Sequence, residues 1–114
     1  MKVIIAGSRE IVDSSLLIEA LIESNFEVTK IISGGARGAD RIGEQYSRAY
    51  NIPLTVIKPD WDKYGKRAGY KRNEQMAEVA DALIALWDGK SKGTKHMIDL
   101  ANDKGLMVYT KIQR

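Results

Sequence analysis

A regular alternation of short apolar segments with amphipathic helical segments leaves few folds open to this chain. Five segments have the length and the β-branched or apolar content of strands, at residues 2–6, 28–33, 54–58, 82–87 and 106–110. Helical spacing of apolar residues follows Asp13 or Ser14, and recurs at 39–50, 71–80 and 94–104. Such alternation places consecutive strands parallel. The chain is therefore predicted to be one α/β domain over 1–114, with a five-stranded, mainly parallel sheet and helices on both faces.

Length and composition narrow the class of protein. A chain of 114 residues makes one domain of ordinary size, with a core large enough to fold without disulfides or structural metal ions. The absence of cysteine excludes disulfides and thiolate metal sites, and it suits a reducing compartment. The apolar run after Lys2 is too short for a signal peptide or a membrane span, so we expect a cytoplasmic protein with no membrane partner. The net charge of +3 is only a weak indication of anionic partners.

Three loops that contain glycine follow strands, and right-handed crossovers would place all three at one edge of the sheet. Ligands bind at that edge, near the point where the strand order reverses. Glycine lets backbone N–H groups approach a ligand, and a helix that starts after such a loop favours an anion. We therefore expect phosphate binding by these loops. They are Gly7-Ser8-Arg9, the segment 33–40 (Ser-Gly-Gly-Ala-Arg-Gly-Ala-Asp) and the segment 88–94 (Asp-Gly-Lys-Ser-Lys-Gly-Thr).

Basic residues cluster in or beside these loops. Nine of the 18 lysines and arginines fall there, which favours an anionic ligand, and arginine suits bidentate contacts with phosphate. Single lysines in the set are interpreted as solvated. The nine are Arg9, Arg37, Lys66, Arg67, Lys71, Arg72, Lys90, Lys92 and Lys95.

Several familiar sites are excluded. The Gly-x-x-x-x-Gly-Lys-Ser/Thr pattern of a P-loop is absent, and the loops do not fit the dinucleotide fingerprint. His96, the only histidine, is predicted to lie on a helix surface, and without cysteine or clustered carboxylates no metal and no cofactor are expected.

Several aromatic and acidic residues are further candidates for ligand contact, and each also has a purely structural interpretation. Trp87 closes an apolar strand and is predicted to pack in the core. The segment 60–69 is predicted to be a polar loop because it contains Gly65 and Gly69, and Trp61 in this loop is as well explained by stacking on a base as by packing in the core. Asp40, Asp60 and Asp88 are candidates for general acid–base catalysis or for contacts with a ribose. Asp40 and Asp88 also border glycine loops. Asp99 is equally well explained as an exposed helix residue.

These motifs together resemble the SLOG superfamily, which includes the "lonely guy" phosphoribohydrolases and the DNA-processing Smf proteins. The resemblance covers nearly the whole chain and is strongest to a YspA-like or YpsA-related branch of bacterial and phage proteins. It rests on Gly7-Ser8-Arg9, on 33–40, on Arg72-Asn73-x-x-Met76 and on Trp87-Asp88-Gly89-x-Ser91-x-Gly93-Thr94. It implies a Rossmann-like fold and a nucleotide ligand held by the glycine loops.

The resemblance also bears on catalysis. In the phosphoribohydrolases an arginine of an Arg-x-x-x-Met segment and a glutamate three residues after Gly-Thr act on the N-glycosidic bond. Arg72 and Met76 match the first, but Met97 stands at the glutamate position, and a thioether cannot transfer a proton. The resemblance therefore implies a binding site in which Arg72, Asp40 and Asp88 are the remaining catalytic candidates.

Three functions follow as hypotheses. The leading one is a module that senses, sequesters or carries a nucleotide or its derivative; the alternative is a hydrolase of the N-glycosidic bond of a nucleoside monophosphate. Single-stranded DNA binding is disfavoured by the mild charge and the few aromatics. Both a monomer and a homo-oligomer are compatible with the sequence. The candidate ligand-binding residues are Gly7, Ser8, Arg9, Gly34, Gly35, Ala36, Arg37, Asp40, Arg72, Asn73, Asp88, Gly89, Ser91, Gly93 and Thr94.

Overall fold

A computed structural model describes residues 1–113 of the chain. Strands and helices alternate through this part of the sequence, with one 3₁₀ turn, Gly65–Arg67, between α3 and α4. The elements are β1 (Lys2–Gly7), α1 (Ser15–Ser24), β2 (Lys30–Ser33), α2 (Ala39–Ala49), β3 (Leu54–Val56), α3 (Trp61–Tyr64), α4 (Ala68–Val79), β4 (Ala82–Trp87), α5 (Lys92–Asp103) and β5 (Met107–Ile112).

The five strands form one sheet in which every neighbouring pair is parallel. The strand order is β3-β2-β1-β4-β5, so β1 pairs with both β2 and β4. β1 and β4 are in register from Val3 opposite Ala82 to Gly7 opposite Leu86. The order reverses between these two strands, and their carboxyl ends mark the position at which open α/β sheets bind ligands. The predicted five-stranded parallel sheet is confirmed.

Helices cover both faces of the sheet, as predicted. α1 and α2 pack on one face, and α4 and α5 pack on the other face and against each other. Successive residues of β1 point to opposite faces, so Val3 and Ile5 enter one core while Ile4 and Ala6 enter the other. Burial on both sides explains why β4, and β1 after its exposed first residue Lys2, are apolar. Among residues 1–113 no helix has the length and apolar character needed to cross a membrane.

The segment 60–69 is mostly helical, and its prediction as a polar loop is wrong. The side chain of Asp60 accepts a hydrogen bond from the Lys63 N–H at 3.1 Å and so caps α3. The 3₁₀ turn then leads directly into α4, which begins at Ala68 instead of residue 71. Gly65 and Gly69 led to the loop prediction, yet Gly65 only ends α3 and Gly69 lies within α4.

The other element boundaries differ from the predictions by one or two residues. β2 starts at Lys30, β3 ends at Val56, and α5 starts at Lys92. Ser14 stands at the N-cap of α1 without a capping hydrogen bond from its side chain. Asp13 accepts the Ser15 N–H at 3.0 Å instead.

Candidate functional site

A cleft of about 480 Å³ opens at the carboxyl ends of β1 and β4, where the strand order reverses. We call it the switch-point cleft. The loops after β1, β2 and β4 contribute to its wall, and α3, the 3₁₀ turn, α4 and α5 close it from the other side. Its lining includes Gly7, Ser8, Arg9, Glu10, Ala36, Asp40, Trp61, Lys66, Gly69, Tyr70, Arg72, Asn73, Met76, Asp88, Ser91, Gly93, Thr94 and Met97.

The loop after β1 is held by close backbone contacts. A Cβ on Gly7 would lie 1.9 Å from the Leu86 carbonyl oxygen, so only glycine fits there. Gly38 has φ of +78°, and a Cβ on it would lie 2.4 Å from the Ser8 carbonyl oxygen. Ser8 donates its N–H to Leu86 and accepts the Asp88 N–H on its hydroxyl, both at 3.0 Å. Hydrogen bonds and close contacts of Ser8 thus connect the three glycine loops at one edge of the sheet.

Acidic and hydroxyl side chains already occupy several N–H groups of the second and third loops. The Ala36 N–H donates to Asp40 Oδ2 at 3.1 Å and the Gly35 N–H donates to Ser33 Oγ at 3.1 Å. In the third loop Asp88 Oδ1 accepts the N–H groups of residues 90 and 91, each at 2.8 Å. Those four N–H groups are satisfied within the protein. An anion at this edge must therefore use other donors, and the cationic side chains are among them.

Arg72 and Asp40 form the charged centre of the site. Arg72, at the second turn of α4, donates from Nη1 to the Gly34 carbonyl oxygen and from Nε to Asn73 Oδ1. An arginine has five N–H donors, so three remain beyond these two contacts in the described part of the chain. Burial lowers the pKa of Arg72, with Asp40 opposing that change and the charge of Arg9 adding to it. Arg9 and Arg72 are thus close enough to repel each other.

The two cleft-lining aspartates have opposite pKa shifts. Burial raises the pKa of Asp40 to about 6; the Ala36 N–H and Arg72 oppose the rise, and Glu44 adds to it. Asp88 has a lowered pKa because the backbone N–H groups of Lys90 and Ser91 stabilise its charged form. One carboxyl therefore takes up a proton near neutral pH, and the other stays ionised.

A polar group on α4 and α5 supports one wall of the cleft. Asn73 is buried, and its Nδ2 lies 3.1 Å from His96 Nδ1 and 3.4 Å from the Gly93 carbonyl oxygen. The ring of His96 packs on that of Tyr70, with centroids 4.3 Å apart. His96 lies on α5 as predicted, but it is half-buried in this group and only part of it is at the surface. The tertiary contact between α4 and α5 supplies its partners.

The remaining aromatic, sulfur and acidic candidates differ in whether they line the switch-point cleft. Trp61 is 54% exposed and lines the cleft, while Trp87 lies outside it, half-buried, with its indole N–H donating to the Ser91 carbonyl oxygen. Met97 is buried in the cleft wall. Asp99 is exposed and pairs with Lys95 at 2.7 Å, away from the lining.

A second cleft of about 480 Å³ adjoins the first over the carboxyl ends of β2 and β3. We call it the basic cleft. Arg9, Ala36, Trp61 and Arg72 line both clefts and form the boundary between them. The residues that line only the basic cleft are Gly34, Gly35, Arg37, Lys58 and Pro59.

Fourteen of the fifteen residues predicted to bind ligand line one or both clefts; Gly89 lines neither. The prediction did not include Glu10, Lys58, Tyr70 or Met76, and it treated Lys66 only as one of the clustered basic residues. Lys58 is the last residue of the predicted third strand, and the rule that ligands bind at carboxyl ends would have found it. Tyr70 carries no such signal, because only the helical conformation of 61–79 brings it to the site.

Comparison with known proteins agrees with this architecture. Residues 1–64 match the model of the YAcAr family, described as the YspA, cpYpsA-related SLOG family. The chain is also 32% identical, over 117 residues, to the Gene 61 protein of Mycobacterium phage D29, an alignment that covers 94% of this chain and 93% of that protein.

Proposed function

Because the chain belongs to the YspA, cpYpsA-related SLOG family, we propose that it binds a nucleotide or a nucleotide derivative in the switch-point cleft. In this role it senses, sequesters or carries the ligand. The observation that carries the proposal is the position of the cleft between the carboxyl ends of β1 and β4, where the strand order of the sheet reverses.

The groups in the cleft suit the parts of a nucleotide. Arg9 and Arg72 offer donors to a phosphate. Asp88 is ionised, and its second carboxylate oxygen can accept hydrogen bonds from ribose hydroxyls. Trp61 and Tyr70 are 54% and 47% exposed and line the same cleft, where either ring can stack on a base. The volume of about 480 Å³ lies in the usual range for small-molecule sites.

Titration calorimetry with the 5′-monophosphates and 5′-diphosphates of adenosine, guanosine, cytidine and uridine tests the proposal. Gly93 gives a clean steric series, because it lines the cleft and a Cβ there would meet nothing within 4 Å. We expect Gly93→Ala to bind nearly as well as the wild type and Gly93→Leu to lose most of the affinity. Lys92→Leu, on the neighbouring exposed position, is the control and should bind normally. Absence of binding by every nucleotide would refute the proposal.

A second candidate function is hydrolysis of the N-glycosidic bond of a nucleoside monophosphate. It is favoured by one observation, the opposite pKa shifts of Asp40 and Asp88 in one cleft, which suit a proton donor and an ionised carboxylate. Met97, buried in the wall, offers no proton. Release of ribose 5-phosphate from the four monophosphates, measured with the wild type and Asp40→Asn, separates hydrolysis from binding alone.

A further inference from the structure

The two clefts differ sharply in charge. The switch-point cleft has three cationic and three acidic side chains in its lining: Arg9, Lys66, Arg72, Glu10, Asp40 and Asp88. The basic cleft has four cationic side chains, Arg9, Arg37, Lys58 and Arg72, and no acidic one. A concave site with charges of one sign concentrates counter-ions of the other sign.

The cationic side chains of the basic cleft make few ion pairs and hydrogen bonds within the protein. Within residues 1–113, the side chains of Arg9 and Lys58 make no ion pair and no hydrogen bond. Arg37 pairs with Glu10 at 2.9 Å, but the two side chains are 69% and 79% exposed, so this ion pair adds little stability and gives way easily. Three N–H donors of Arg72 also remain.

Gly35 leaves space in the basic cleft for the side chain of Lys58. A Cβ on Gly35 would lie 3.1 Å from Lys58 Cγ and 3.8 Å from Lys58 Cε. The absence of a side chain at residue 35 thus leaves room for the lysine stem to cross the second glycine loop. Lys58 follows β3 in sequence, and this path brings it to the cleft beside Arg37.

The two clefts form one continuous edge site. Arg9 and Arg72 line both, so a ligand anchored in the switch-point cleft passes these arginines before it reaches Lys58 and Arg37. Its path runs along the sheet edge from the β4 and β1 side toward β2 and β3.

We propose that the ligand carries at least two phosphate groups, with the first held by Arg9 and Arg72 at the boundary and the second in the basic cleft by Lys58 and Arg37. The ligand class is a nucleoside diphosphate or a nucleotide extended through a diphosphate. The proposal rests on the proposed function, since it assigns the base and ribose to the switch-point cleft.

The test compares nucleoside monophosphates with their diphosphates, by titration calorimetry at constant ionic strength, on the wild type and on the double variant Lys58→Gln/Arg37→Gln. These two side chains line only the basic cleft. The control is Lys90→Gln/Lys92→Gln, which removes the same charge from two exposed lysines that line neither cleft.

We expect the wild type to bind a diphosphate about tenfold or more tightly than its monophosphate, because the second phosphate adds charge-assisted hydrogen bonds. In the basic-cleft variant this advantage should fall below about twofold, because the diphosphate loses more affinity than the monophosphate. The control should keep the advantage.

Three results would overturn the proposal and leave the proposed function intact: equal affinity of the wild type for both nucleotides, equal losses for both in the basic-cleft variant, or the same loss in the control. If no mono- or diphosphate binds, the proposed function itself fails.

Discussion

Arg72 links the two clefts, the second glycine loop and α4 at the scale of single residues. Its Nη1 donates to the Gly34 carbonyl oxygen, and a Cβ on Gly34 would lie 2.4 Å from that same nitrogen. The guanidinium therefore supports the loop, and under the proposed function it also donates to the ligand. Sequence reasoning selected Arg72 for the second role, and the contact with Gly34 adds the first.

Arg72→Ala should weaken nucleotide binding about ten- to a hundredfold, since a hydrogen bond to a charged group contributes about 1.5–3 kcal/mol. Arg72→Lys should recover only part, because an ammonium cannot make the bidentate contact. Calorimetric titration measures both. Arg67→Ala is the matched control, an exposed arginine that lines neither cleft. A loss below about twofold for Arg72→Ala would show that the arginine does not contact the ligand.

Asp40 gives a pH dependence whose sign follows from its raised pKa. The pKa of Asp40 is about 6 in the folded protein, whereas the reference value of 3.8 stands for the unfolded chain. Between pH 3.8 and 6 the folded state therefore binds more protons than the unfolded state. Asp40 therefore lowers the free energy of unfolding as pH rises through this window. Asp40→Asn should gain stability relative to the wild type from pH 4 to 7, by up to about 3 kcal/mol, in urea unfolding.

Asp88→Asn is the control for this effect, with the opposite sign. The pKa of Asp88 is lowered, so its charged form stabilises the fold above the reference pKa, and this contribution is lost as the pH falls. The Asp88→Asn variant should lose stability relative to the wild type as pH rises. A difference between Asp40→Asn and wild type that does not change with pH would contradict the buried, proton-binding state of Asp40.

At the scale of secondary-structure elements, the packing of α2 on β1 decides where the second loop lies. Gly43, in the middle of α2, is buried, and a Cβ on it would lie 2.7 Å from Ile5 Cβ on β1. The helix backbone thus approaches the strand more closely than any other residue type allows. Since α2 begins with Ala39 and Asp40, this contact also sets the position of the acid in the cleft.

Gly43→Ala should destabilise the protein although alanine favours helix by about 1 kcal/mol. The added methyl group forces α2 away from β1, and overpacking of this kind costs about 1–3 kcal/mol. Gly93→Ala, in α5 with open space around its Cβ, is the matched control and should be neutral or more stable. Urea or thermal unfolding of the two variants checks this, and a stabilised Gly43→Ala would show that the helix–strand contact is not tight.

At the scale of the whole molecule, the clefts connect loops that are far apart in sequence. The radius of gyration is 12.6 Å, close to the value of about 13 Å for a compact domain of this size. A ligand that bridges the loops after β1, β2 and β4 therefore opposes unfolding of the entire domain and not of one segment. Binding is linked to global stability through this geometry.

A nucleotide present at a hundred times its dissociation constant should stabilise the fold by about 2.7 kcal/mol. For a domain near 100 residues this raises the Tm on the order of 10 °C. Thermal unfolding with and without the nucleotide measures the shift. Gly93→Leu should show no shift and Lys92→Leu the full shift; an equal shift in both would place the ligand outside the switch-point cleft.

Local sequence patterns were enough to predict the strands, the helices on both faces and most residues that line the two clefts. These follow from local rules: apolar strand segments alternate with helical ones, and glycine loops after parallel strands share one edge. Gly7, Arg9, Asp40, Arg72 and Gly93 could thus be assigned to that edge without coordinates, since each lies in or just beyond a segment that directly follows a predicted strand.

The shape and the chemical properties of that edge depend on long-range packing. Pairing of β1 with β4 is a long-range contact that no local pattern encodes, and it places the switch-point cleft. The same packing occupies the N–H groups at Ala36 and Ser91 with aspartates, buries Asp40 enough to raise its pKa, and brings Lys58 across Gly35. Desolvation, close packing and hydrogen-bond saturation depend on all neighbours in space, and most of those neighbours are distant in sequence.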